Sequence, residues 1–271
     1  MTRYGMRCSG IRFGISALAL AAGALFLVPS ASAAVFNVEP IRIDLGPDRL
    51  TATATLSTPG SEPLLVEAEA FRWTQEDGEE RLEPAMDLIV IPPVFTLEPG
   101  AEQTLRIGLP SPPSDASGNG RRQSEVTWRL LLTEVPDETV ERAGVSFTLR
   151  LSIPVFFTPP GARPELEWSL ERRDDGRVDV GLANVGTAHA HVLDLQVLSA
   201  AGSETESESV GEGVEPRAVA GRGGYILPGA ARSWVLPAEA VGGASRVRLR
   251  APTRGGGEVT GEVRVPAPAV P

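Results

Sequence analysis

Lysine is missing from this chain: all 25 of its basic side chains are arginine. Cysteine occurs once, as Cys8, inside an N-terminal stretch that reads as a removable leader. The chain beyond it has no disulfide and must be held by burial and backbone hydrogen bonds. Aromatic residues make up 5%, thin for a platform that stacks against sugars. Formal net charge is −10, and loss of Arg3, Arg7 and Arg12 with the leader takes it to about −13. That balance excludes long-range attraction to nucleic acid or anionic lipid. No apolar run beyond the leader is long enough to span a bilayer, so no membrane insertion of the mature chain is expected.

Catalytic signatures are equally scarce. No Gly-x-Ser-x-Gly elbow anchors a hydrolase triad. Gly255-Gly256-Gly257 lacks the lysine and helix of a phosphate loop and reads as a hairpin turn. Glu79-Glu80 and Asp174-Asp175 sit in hydrophilic, turn-like stretches, where solvation explains them. His189 and His191, two apart, would share one strand face, a spacing that can ligate a metal. No motif adds further ligands, so the pair reads as surface or domain-interface imidazoles. No metal, no cofactor and no enzymatic activity are expected.

What is present begins with the leader. Three arginines, an apolar run over residues 15–28 and the small residues Ala31-Ser32-Ala33 predict a secretory signal peptide over residues 1–33 and export of the rest. The ~238 residues that follow suit one large or two ordinary domains. Period-two alternation with Gly, Pro, Asn and Asp punctuation recurs, and helical spacing is rare, which predicts an all-β protein. The Pro-rich connector over residues 158–164 divides it into an N-terminal domain, 34–159, and a C-terminal β-sandwich, 160–271. Residues 35–45 read as an opening strand with an irregularity at Pro40. Asp77-Gly78 ends a longer strand over 64–73, residues 203–213 read as a solvated loop, and the tail after Arg264 reads as frayed.

The most informative strand runs over residues 145–155. Val145, Phe147, Leu149, Leu151, Ile153 and Val155 alternate with Ser146, Thr148, Arg150 and Ser152, so the apolar set shares one face. An ordinary half-buried core strand has the same alternation. This one is long, bulky on its apolar face and preceded by a charged loop. A strand that overhangs its own sandwich can add to a partner's sheet.

Four stretches carry a family resemblance. They are Phe36-Asn37-Val38-Glu39-Pro40-Ile41-Arg42-Ile43; residues 92–100 with 102–108; Trp128-Arg129-Leu130-Leu131-Leu132-Thr133-Glu134-Val135-Pro136; and residues 147–156, with Leu182-Ala183-Asn184-Val185-Gly186 a looser match. In this order and spacing the chain resembles the periplasmic chaperones of chaperone–usher pilus assembly, in particular the branch serving archaic and spore-coat-U-like pili. The resemblance implies two immunoglobulin-like β-sandwich domains in an L or boomerang, and a periplasmic location. It implies pilus subunits and an outer-membrane usher as partners, with the alternating strand filling the open groove of an incomplete subunit. It further implies that basic residues anchor the subunit's terminal carboxylate. The best-known members pair an early Arg with a Lys; with no lysine available, Arg42 takes the early position and Arg106 and Arg150 are candidates for the second charge. Two other readings fit the composition. A structural pilus subunit would carry one incomplete sandwich with its donor at the mature N-terminus, and a secreted β-sandwich binding module would need a recognition surface of its own.

Overall fold

Residues 36–114, 123–136, 147–201, 218–241 and 244–266 are described by the computed structural model. The expected signal peptide, Val145 with Ser146, the acidic stretch over 203–213 and the last residues of the tail lie outside them. The opening residues form two short strands rather than one. β1 (Asn37–Glu39) pairs antiparallel with β3 (Thr51–Ser57), while β2 (Ile43–Leu45) joins the other sheet. The Pro40 irregularity is thus the crossing between sheets, consistent with proline's lack of a ladder donor.

β1 and β3 continue through β8 (Glu102–Gly108) to β6 (Ile89–Ile91) in a four-stranded sheet. The facing sheet runs β2, β10 (Arg150–Phe157), β9 (Val126–Val135), β4 (Leu64–Glu76) and β5 (Glu79–Pro84), with β7 (Val94–Leu97) also on β4. Asp77 (φ 52°) and Gly78 (φ 80°) link β4 to β5. Two left-handed residues in a two-residue loop are the hairpin turn that Asp-Gly favours. The Glu79-Glu80 pair, read from sequence as turn-like, opens the fully exposed strand β5. Between the sheets, the alternate residues Leu105 and Ile107, Trp128, Leu130 and Leu132, and Ile153, Val155 and Phe157 make one apolar core.

A second pair of sheets follows the Pro-rich connector. One holds β11 (Leu166–Arg172), β12 (Val178–Asn184) and β15 (Ala231–Leu236). The other holds β14 (Ala218–Ile226), β13 (Ala190–Ala201), β16 (Arg246–Pro252) and β17 (Glu258–Arg264). Gly255-Gly256-Gly257 is the turn between β16 and β17, with Gly256 at φ 84°. A single short helix, α1 (Ala238–Val241), occurs among the described residues. None of the described helices is long and apolar enough to cross a membrane.

The second core contains two residues of the first sandwich. Trp73 of β4 and Phe156 of β10 pack with Val192, Leu195, Ile226 and their neighbours. Strand alternation explains Phe156-Phe157: Phe157 faces the first core and Phe156, pointing the opposite way, enters the second. Residues 34–271 form one compact unit.

β10 is covered unevenly. Along one edge it pairs with β9 throughout, Arg150 opposite Thr133 to Phe157 opposite Val126. Along the other edge β2 runs parallel to only Val155, Phe156 and Phe157. Just before the strand, Leu149 aims its backbone at β9: its C=O accepts from Glu134 N–H at 2.9 Å. Its N–H donates to the Glu134 carboxylate at 3.2 Å. Alternation then turns the backbone groups of Arg150, Ser152 and Pro154 to the opposite edge. Among the described residues, no strand pairs that edge before Val155. Pro154 is tolerated because its missing N–H falls on the side away from β9.

Candidate functional site

The six residues of the predicted donor ridge meet different environments. Ile153 and Val155 are buried in the first core. Leu149 and Leu151 are half-buried and pack against its margin. Phe147 is 79% exposed, and Val145 lies outside the described residues. The apolar face that is still available is therefore Phe147, Leu149 and Leu151, beside the unpaired edge.

The opposite face of β10 carries the charges. Arg42 immediately precedes β2, whose register sets Asp44 beside Phe156. Its guanidinium lies 5.0 Å from the centre of the Phe156 ring. Arg150 stands on the same face, about 13 Å from Pro154 at strand spacing. It donates to Thr133 Oγ1 at 3.0 Å and lies 3.8 Å from the Glu69 carboxylate. Arg106 does not join them. It sits on β8 between the core residues Leu105 and Ile107 and points outward from the four-stranded sheet. The first core separates it from Arg42, and a sandwich core is about 10 Å thick. The expectation that Arg106 supplies a second charge beside Arg42 is corrected on that ground.

Arg129, which sequence reading left unassigned, holds the central position. β9 places it directly opposite Pro154, so it shares the outer face with Arg42, two strands and about 10 Å away. Its guanidinium lies 3.7 Å from the Trp73 ring centre and 5.8 Å from that of Tyr225. Its side chain is only 11% exposed and pairs with Glu80 at 2.8 Å. A signal for it existed: if Val126, Trp128, Leu130 and Leu132 face the core, Arg129 must face the other way.

Below these cations the two sandwiches are clasped by an aromatic and polar cluster. Trp73 and Phe156 lie 6.0 Å apart, and both reach Tyr225 at 5.5 Å. His189 stacks on Phe156 at 3.8 Å and His191 on Tyr225 at 4.1 Å. The Glu125 side chain, 1% exposed, approaches His189 Nδ1 at 2.7 Å. It also accepts the His189 backbone N–H at 3.1 Å and the Thr158 hydroxyl at 2.8 Å. A buried carboxylate demands such partners. Gln75 bridges the sandwiches as well, donating to Tyr225 C=O at 3.0 Å and accepting from Leu227 N–H at 2.9 Å. The histidine pair is thus an interface element. Burial first, and then the electrostatic influence of Arg254, His189, Arg42 and Arg129, hold the His191 imidazole below its ordinary value of 6.5. Among the described residues, no group of three or more His, Cys, Asp or Glu side chains is placed to hold a metal. A cleft of about 700 Å³ runs along the junction, lined by Arg72, Gln75, Glu125, Thr127, Val185 and Pro228 among others, and Arg42 and Arg129 lie outside its lining.

An open sheet margin beside an arginine-bearing face, on a pair of clasped β-sandwiches, defines a class of protein. Residues 35–163 match the pili and flagellar-assembly chaperones, PapD N-terminal domain. That match spans just under half of the chain and is a likeness to the pilus-assembly chaperones. No curated protein matches its sequence significantly. Among solved structures, it is similar to a chain of the CsuC–CsuE chaperone–tip adhesion subunit pre-assembly complex from archaic chaperone–usher Csu pili of Acinetobacter baumannii. That likeness has a TM-score of 0.59 at 19% identity and covers 84% of this chain and 97% of the other. A chain of the SafA pilin–SafB chaperone complex of Salmonella enterica gives 0.54 at 18%, covering 87% and 99%. The E. coli chaperone DraB gives 0.51 at 20%, covering 86% and 100%. At these identities the likeness establishes the fold: two immunoglobulin-like β-sandwiches.

Proposed function

We propose that this protein binds pilus subunits in the periplasm by lending them the N-terminal part of β10 and then delivers them to an outer-membrane usher. The observation that carries the reading is the edge of β10 before Val155, unpaired among the described residues, beside Phe147, Leu149 and Leu151. An incomplete subunit exposes apolar surface and unpaired backbone, both prone to aggregation. An edge strand with bulky alternate side chains covers both at once. Three such insertions are worth roughly 5–9 kcal/mol at about 1.5–3 kcal/mol each, before ordering and association costs. Ile153 and Val155 act from below, fixing the strand that is lent. The subunit's terminal carboxylate docks on the outer face, where Arg42 and Arg129 flank Pro154. Guanidinium grips carboxylate bidentately, which makes arginine a sound replacement for the family's lysine. Arg150 lies further along the same face, where it meets the subunit strand.

The test is Leu149→Asp and Leu151→Asp, scored for recovery of a co-expressed pilus subunit. Loss of the subunit with the chaperone still folded is the expected result. Normal subunit levels with both variants sink strand lending through this segment.

A further inference from the structure

Every arginine on the outer face of the six-stranded sheet is already paired with a carboxylate of its own chain. Arg129 has Glu80, and Arg150 has Glu69 at the longer distance of 3.8 Å. The closest pairing belongs to Arg42, whose Nε lies 2.9 and 3.1 Å from the two Asp44 oxygens and whose Nη2 lies 2.7 Å from Oδ1. Asp44 thus fills the Nε–Nη2 edge, while the Nη1–Nη2 edge keeps two N–H groups of its own, so a second carboxylate either displaces Asp44 or shares a cation whose charge Asp44 already offsets.

We infer that Asp44 is a stand-in carboxylate that competes with the partner's terminal carboxylate for Arg42 and so sets the strength of that contact; the inference rests on the anchoring role proposed for Arg42. The fully buried Phe156 ring supports the guanidinium from beneath independently of Asp44. Asp44 is also cheap to displace. Its side chain is 52% exposed, so water takes over its oxygens after a side-chain rotation. Its backbone stays in register in β2, with its C=O accepting from the Arg49 guanidinium. The exchange trades one ion pair for another at a single cation, in a protein whose net charge of −10 otherwise disfavours an incoming anion. Exposed ion pairs are weak, and the competition is correspondingly modest.

The experiment uses the full mature chain and two fluorescein-labelled decapeptides of alternating valine and threonine, one ending in a free carboxylate and one in an amide. Asp44→Asn should bind the acid about 3–10-fold more tightly than the parent, with the amide unchanged. The gain should shrink as salt is raised, and Asp44→Ala should behave the same way. Unchanged or weaker acid binding overturns the inference, because Asp44 then orients Arg42 or does nothing. An equal gain for acid and amide overturns it too, since the effect is then not carboxylate exchange. If the parent binds acid and amide alike and Arg42→Ala changes neither, the anchoring reading itself fails and takes this inference with it. A parent that prefers the acid while Asp44→Asn gains nothing leaves the anchor standing and removes only the competitor.

Discussion

From Val155 to Phe157, β10 is covered on both faces and both edges: Val155 and Phe157 fill the first core, Phe156 fills the second, and β9 and β2 flank it. From Phe147 to Pro154 the same alternation continues, yet among the described residues one edge is unpaired and Phe147 stands in solvent. Period two decides which side chains share a face; what covers that face depends on how far the neighbouring strands extend. β2 has only three residues, and its shortness divides a covered half of the strand from an open one.

The largest contrast comes from a charge at either end. Val155→Asp buries an unpaired carboxylate and should cost at least ~4 kcal/mol, enough to lose the folded protein in a urea titration. Leu151→Asp, at the half-exposed end, should cost about 1 kcal/mol or less in the same titration while cutting subunit capture by about 100-fold. Similar losses of stability at both sites would erase the division of the strand.

The junction tests the buried half from the other side. Trp73→Ala or Phe156→Ala should cost about 3–5 kcal/mol and split calorimetric unfolding into two transitions, because each residue belongs to one sandwich and packs in the other. A single cooperative transition in both variants would mean that the aromatic plug does not couple them.

Smaller effects separate the arginines by face. Arg42→Ala and Arg129→Ala should each weaken binding of a carboxylate-terminated peptide about tenfold, and Arg106→Ala should leave it unchanged. Equal losses for all three would remove the distinction between the two outer faces. The smallest effect is expected at His191. Its folded imidazole titrates below the ordinary 6.5, so the unfolded chain binds more protons just below that pH. Stability should fall as pH is lowered through 6.5 and level off once the folded imidazole also protonates. His191→Gln should flatten that slope in pH-dependent thermal melts.

Most strands were legible in the sequence because alternation and turn residues are local: Asp77-Gly78, Gly255-Gly256-Gly257 and the stretch that became β9 all took the expected form. The split of residues 35–45 between two sheets was not, since sheet membership depends on partners distant in sequence. The site was half legible. The alternating apolar ridge is visible in its spacing, but the burial of Ile153 and Val155 follows from β2 and from the core. Arg129 was deducible from the face opposite Trp128, whereas its neighbour Trp73 comes from a strand more than fifty positions earlier. Arg106 entered as a matter of charge alone, and nothing local tells one outer face from the other.

Pro154 gives the open margin an end stop. Under the proposed function, a foreign strand advancing along it would meet the outward-facing groups of Arg150 and Ser152, then a residue with no proton to offer, then β2. The length of hydrogen-bonded overlap would then be written into the covalent chain, and a visiting strand measured against an imino ring.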